Sequence, residues 1–217
     1  MNLGKMLLNN WQTFISIAAS FFSFLYFVPY LVTVCQGKTR PNRASWWIWG
    51  TNGLIMCASY YFSNGATNTL WALFFPVIAQ LIIAVLSFKY GQGGWNRFDK
   101  ICLSSAGIGL ILWWRFNSPL IALALSLVVD FMGALPTIKK SYYEPKTESL
   151  VSWFLYGLGT LLNLFTIKNW SIEIAAVPLY VFFINLTIVS LLLLPKVRLY
   201  LSRRKCKRKK MRKRKIS

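Results

Sequence analysis

Apolar residues run along this chain in long blocks rather than in alternation with polar ones. Seven blocks stand out, roughly 13–35, 45–63, 68–88, 101–114, 119–137, 150–168 and 172–194. Most reach the ~20 residues that an α-helix needs to cross the hydrocarbon core of a bilayer. The pattern predicts an all-α membrane protein with seven transmembrane helices. The fourth block is the shortest, and its small residues Ser104, Ser105, Ala106, Gly107 and Gly109 suit tight helix contact. Ser118-Pro119 makes a good start for the fifth, with serine capping and proline in the first turn. The first block is too long for a signal-peptide core and lacks a small-residue cleavage site, so it is expected to be retained as a span.

Two stretches repeat across these blocks. From Pro29 the chain runs through Lys38-Thr39 and Ser45-Trp46 to Gly50, and from Pro136 through Lys146-Thr147 and Ser152-Trp153 to Gly157. The proline-to-tryptophan spacing is 17 residues in both copies. Each copy begins at the end of one block and finishes inside the next, so the repeated unit is a set of helices. Two three-helix units joined directly would face opposite ways across a membrane; one extra helix between them restores a common direction. The expected plan is therefore 3+1+3: an N-terminal segment 1–12, a first repeat 13–90, a linker helix 98–115, a second repeat 117–195 and a basic tail 196–217.

Composition agrees and narrows the chemistry. Of 217 residues, 56% are apolar and 17% aromatic, with a mean hydropathy of +0.48. Histidine is absent, and the acids number five: Asp99, Asp130, Glu144, Glu148 and Glu173. That leaves little from which to build a metal site, a cofactor site or a hydrolytic centre, and no nucleophile–base pair can be drawn. No enzyme, metal or cofactor is expected. Cys35, Cys57, Cys102 and Cys206 are scattered without paired spacing and read as packing residues.

The basic residues set a direction. Lys38, Arg40 and Arg43 fall in the first loop, Lys89, Arg97 and Lys100 in the third, and Lys139, Lys140 and Lys146 in the fifth. With thirteen more in the tail, 22 of the 25 Lys and Arg lie on one side, and only Lys5, Arg115 and Lys168 on the other. The positive-inside rule then puts the C-terminus in the cytoplasm and the N-terminus outside, as expected of a multi-pass protein of a bacterial plasma membrane. The tail reads as a solvated, disordered segment attracted to anionic lipid rather than to nucleic acid.

The segments Pro29-Tyr30…Gly37-Lys38-Thr39…Ser45-Trp46 and Pro136-Thr137…Lys146-Thr147-Glu148-Ser149-Leu150-Val151-Ser152 resemble the PQ-loop motif of the SWEET and PQ-loop transporter superfamily. There a Pro-Gln pair ends a helix and a Lys-Ser-Thr-like loop leads into the next. Tyr30 and Thr137 stand where that motif has glutamine, and the second and sixth helices lack the prolines of plant sugar carriers. The resemblance implies a SWEET-like fold and movement of a small polar solute, sugar, amino acid or similar. Sorting receptors share the fold.

Asp130 is the most informative residue. A carboxylate inside a span costs on the order of 2.5–3.5 kcal/mol even on lenient insertion scales, and no Lys or Arg lies in any span core. Asp130 is therefore either protonated or facing a wet cavity where a cation or polar substrate meets it. Its counterpart in the first repeat is Ser23. Asn52, Gln80, Asn163 and Asn185 sit near the middles of four other blocks, where an amide either binds solute or links helices. Trp46, Trp47 and Trp153 read as an interfacial aromatic belt. Trp49 and Tyr156, one turn deeper at matched positions, could wall a cavity and stack on a ring.

Pro29 and Pro76 in the first repeat, and Pro136 and Pro178 in the second, are expected to break their helices, with Pro29 and Pro136 as hinges. Gly50, Gly53, Gly157 and Gly159 suit close helix approach.

The leading reading is a carrier working by alternating access through a midplane cavity, with a proton as candidate coupling ion and oligomeric state left open. The alternative is a receptor or sensor of the same fold that binds a ligand without moving it. A retinal-type receptor is disfavoured, because 172–194 contains no lysine.

Overall fold

The computed structural model describes residues 3–64, 68–94, 96–115 and 119–214. Among them all regular structure is helical, apart from one isolated bridge between Asn42 and Gln92. The helices are α1 (Leu3–Leu25), α2 (Phe27–Cys35), α3 (Arg43–Asn64), α4 (Asn68–Tyr90), α5 (Arg97–Arg115), α6 (Pro119–Tyr143), α7 (Leu150–Leu164) and α8 (Ile172–Arg214), with a 3-10 turn at Pro145–Thr147. The first apolar block is thus two helices, and it begins well before residue 13.

The break between α1 and α2 has a local cause. Pro29 has no N–H to give to the carbonyl of Leu25, and its ring crowds that carbonyl, so the regular ladder stops there. The chain turns at Tyr26 and continues, with Tyr26 N–H on Phe22 C=O and Tyr30 N–H on Tyr26 C=O, both at 3.3 Å. The other three prolines behave differently: α4, α6 and α8 run on through Pro76, Pro136 and Pro178. The expectation that all four break their helices therefore holds only at Pro29, because a long helix packed on neighbours tolerates one missing bond. The tail also departs from expectation. Instead of a disordered segment, the chain continues α8 through Pro195 to Arg214.

Matched caps open α3 and α7. Asn42 Oδ1 accepts from Ser45 N–H at 3.2 Å before α3, and Ser149 Oγ accepts from Ser152 N–H at 3.4 Å before α7. Both are side-chain caps on the third helical N–H. Asn96 caps α5 in the same way, its Oδ1 accepting from Asp99 N–H at 2.8 Å.

Helix contacts come in pairs. The α1–α2 rod packs on α7, as α6 packs on α3; α3 lies against α4, as α7 lies against α8; α2 touches α4, as α6 touches α8. α5 stands apart from this pairing and packs on α6 and α3. Close approach is set by glycine at three of the four expected positions. A Cβ at Gly50 would meet Leu81, at Gly53 Val77, and at Gly159 the backbone of Ser23 and Ala19. Gly157 has only ordinary contacts, the nearest at 3.9 Å.

The main buried cluster joins the halves through Tyr26, Phe27, Tyr30, Trp46, Trp153 and Ile188. A second, around Ile48, Cys102, Ala106 and Val129, seats α5. The outer surface is apolar as well: Phe14, Ile17 and Phe21 on α1, Phe75 and Val85 on α4, Ile108 and Ile111 on α5, and Phe183 and Leu186 on α8 all face outward. Apolar cover on this scale is foreign to a water-facing monomer. Among the described residues, two stretches are long and apolar enough to cross a bilayer, Trp11–Cys35 and Ile174–Pro195.

Candidate functional site

An inner chamber of about 60 Å³ lies where the halves meet. Asp130 of α6, Gln80 of α4 and Asn185 of α8 line it, together with Trp49 of α3 and Tyr156 of α7. Five of the seven residues singled out as solute-binding are thus brought together. A larger outer cavity of about 240 Å³ adjoins it and shares Tyr26, Gln80, Tyr156 and Val181 with it. Asn163 lines this outer cavity, where its Oδ1 accepts from Thr166 Oγ1 at 3.2 Å. Asn52 is buried on α3 but is not among the residues lining either space.

Asp130 is held from two sides. Tyr180 O–H of α8 donates to its Oδ2 at 2.8 Å, and the indole N–H of Trp49 donates to its backbone carbonyl at 3.2 Å. The second bond runs from one half to the other, crossing at Gly133, where a Cβ would collide with the Trp49 ring. Among the described residues no Lys or Arg forms an ion pair with Asp130. Asn185 is also incompletely satisfied. It is 1% exposed, its Nδ2 donates to Val181 C=O at 2.9 Å, and among the described residues its Oδ1 has no partner.

Aromatic rings wall the chamber from matched positions of the two halves. Trp46 and Trp49 come from α3, and Trp153 and Tyr156 from α7. Trp46 and Trp49 meet edge to face at 5.4 Å, Trp49 and Trp153 at 6.3 Å, the arrangements that ring quadrupoles favour. Trp46 and Trp153 were expected in an interfacial belt; instead they are buried, at 1% and 3% exposure. Trp47 is partly buried against the same cluster.

One turn further toward the basic loops the site is closed. Trp46 donates its indole N–H to Tyr30 O–H at 3.2 Å, and Trp153 donates to Glu148 Oε2 at 2.9 Å. Thr137 Oγ1 donates to Ser45 Oγ at 2.8 Å. Tyr30 and Thr137, the residues standing where the resembled motif has glutamine, thus both serve this closure. Beneath them Lys140 Nζ lies 2.5 Å from Glu148 Oε1, with both side chains buried. Glu148 thus uses both carboxylate oxygens, Oε2 for the Trp153 indole and Oε1 for the lysine. Lys140 also donates to the carbonyl of Arg40, and Arg40 N–H bonds Thr147 C=O at 2.9 Å. The two Lys-Thr loops are thereby tied together, and Gln92 of the third loop joins them through Glu144 at 2.9 Å.

Three functional candidates escaped the sequence reading. Lys140 was counted as a loop cation but belongs to α6 and is 6% exposed. Glu148 stands among the five acids and in the repeated loop without an assigned role, and Tyr180 carries no signal of its own. The available signal was that Glu148 stands in the repeated loop beside an N-cap, with Lys139, Lys140 and Lys146 close in sequence.

No protein-family model, no curated protein and no solved structure matches the chain.

Proposed function

We propose that this chain is a seven-helix membrane carrier of the SWEET and PQ-loop kind, moving a small polar solute by alternating access between its two halves. The observation that carries the reading is Asp130, an acid inside an apolar helix, lining a chamber to which both halves contribute. The paired helix contacts and the matched caps support two like three-helix units, α1–α4 and α6–α8, with α5 as spacer. The apolar exterior supports seven spans in a bilayer. The basic loops meeting at one end support a cytoplasmic face there, with the N-terminus outside and the basic end of α8 drawn to anionic lipid.

In this reading the solute enters from the outer cavity and meets Asp130, which binds it or exchanges a proton for it. Release to the other side requires parting of the Tyr30–Trp46–Trp153 layer and of Lys140 from Glu148. Rocking of the halves about the Tyr26–Pro29 break supplies the movement. The test is solute flux in vesicles reconstituted with the whole chain, wild type against Asp130→Asn, with and without a proton gradient. Flux that depends on Asp130 supports the carrier; binding without flux favours the receptor reading instead.

A further inference from the structure

We propose that the solute is an organic cation bearing N–H donors, a protonated amine without a carboxylate of its own. This rests on reading the chamber as the solute site and names its chemistry.

Three observations carry it. First, the charge in the chamber is one-sided. Asp130 lines it, and among the described residues no Lys or Arg lines either the chamber or the outer cavity. The Tyr180 hydroxyl supports the carboxylate through Oδ2, a bond strengthened when the acceptor is charged. A neutral polyol bound here would leave the carboxylate uncompensated, whereas a cation offsets it. An anion would be repelled, and an amino acid would bring its own carboxylate in with nothing to meet it.

Second, the free hydrogen-bonding capacity includes an acceptor waiting for a donor. Asn185 lines the chamber, and its Oδ1 is buried with no hydrogen-bond partner among the described residues. Ordinary proteins leave few such atoms unsatisfied. An ammonium carries N–H groups enough to give one to Asn185 and another to Asp130. A quaternary ammonium, having no N–H, satisfies only the charge.

Third, four aromatic residues, Trp46, Trp49, Trp153 and Tyr156, line the chamber. A cation within about 6 Å of an aromatic face is attracted by the ring quadrupole, most strongly where water is excluded. The inner chamber has room for the cationic head, and the adjoining outer cavity for the rest of the molecule.

The experiment is binding to the purified whole chain in lipid nanodiscs, read by tryptophan fluorescence and titration calorimetry. The probes are n-butylammonium, tetramethylammonium, glucose and butyrate. n-Butylammonium is expected to bind, tetramethylammonium more weakly, and glucose and butyrate not at all. Asp130→Asn should weaken n-butylammonium on the order of 30-fold or more, as loss of one partner of a desolvated charge pair does. Asp130→Glu should retain part of the affinity. Asn185→Leu should bring the butylammonium and tetramethylammonium affinities together.

Glucose or butyrate binding that survives Asp130→Asn overturns the proposal. So does tetramethylammonium binding as tightly as n-butylammonium to the wild type. Size-exclusion profiles identical to wild type show that each variant folds. Vesicle flux keeps this inference separate from the carrier reading. Flux of some neutral solute without butylammonium binding overturns only the cation, and butylammonium binding without flux of any probe overturns only the carrier.

Discussion

Lys140 and Glu148 face each other at 2.5 Å, both buried, where the two Lys-Thr loops cross. The pair joins the end of α6 to the cap of α7, and Glu148 also holds the indole of Trp153. It therefore couples the closed end of the molecule to the aromatic wall of the chamber. Opening that end must separate two charges that have given up their water.

Removing one partner should cost more than removing both. Glu148→Gln or Lys140→Met leaves a buried charge without its counter-ion, typically a loss of about 3–5 kcal/mol. The double variant Lys140→Met/Glu148→Leu should recover much of it. Thermal unfolding in detergent, with the four proteins compared as a cycle, checks this; equal losses in single and double variants would contradict the pairing.

Pro29 and Pro136 should differ when each is replaced by alanine. Pro29→Ala restores the missing N–H for Leu25 C=O and should fuse α1 with α2, slowing transport while raising helix stability. Pro136→Ala acts on a helix that is already continuous and should change helix order little. Transport rates and amide-exchange protection around residues 22–30 test the contrast. If both variants transport at the wild-type rate, neither proline is a hinge.

Gly159 should be intolerant of a side chain. Its Cβ would come to 2.7 Å from Ser23 N and 2.9 Å from Ala19 O, backbone atoms that cannot step aside. Gly159→Ala is expected to cost about 1–3 kcal/mol, the usual penalty of overpacking. Gly107→Ala meets nothing within 4 Å and should be neutral or stabilising by up to about 1 kcal/mol. Melting temperatures of the two variants, measured side by side, decide it.

Asn185→Leu should raise stability while lowering solute affinity. The amide donates only to a carbonyl four residues earlier on its own helix, and its oxygen has no partner. Replacing such a group with an apolar one removes an unsatisfied acceptor, a gain of about 1 kcal/mol. A fall in melting temperature without ligand would mean that the asparagine serves the fold.

Tyr180→Phe deletes the hydroxyl that donates to Asp130 Oδ2. Solute affinity should fall by about tenfold, within the range for a hydrogen bond to a charged group. Phe at 180 keeps the packing, so melting should change little. Wild-type affinity in this variant would remove Tyr180 from the site.

The helical course of the chain, its apolar blocks and the repeated segment are legible in the order of residues alone. The blocks correspond to helices, and the copies begin α3 and α7 with equivalent caps at Asn42 and Ser149. Asp130 was legible because an acid in an apolar run stands out whatever it touches. Which residues point inward depends instead on how the helices pack. Asn52 and Asn185 look alike in sequence, yet one lines the chamber and the other does not. Trp46 and Trp153 resemble interfacial tryptophans and are core, and Lys140 resembles a loop cation and is a buried partner of Glu148. The reason is physical. When the outside of a bundle is as apolar as its inside, helical periodicity no longer separates the two faces, and only packing against a neighbour does.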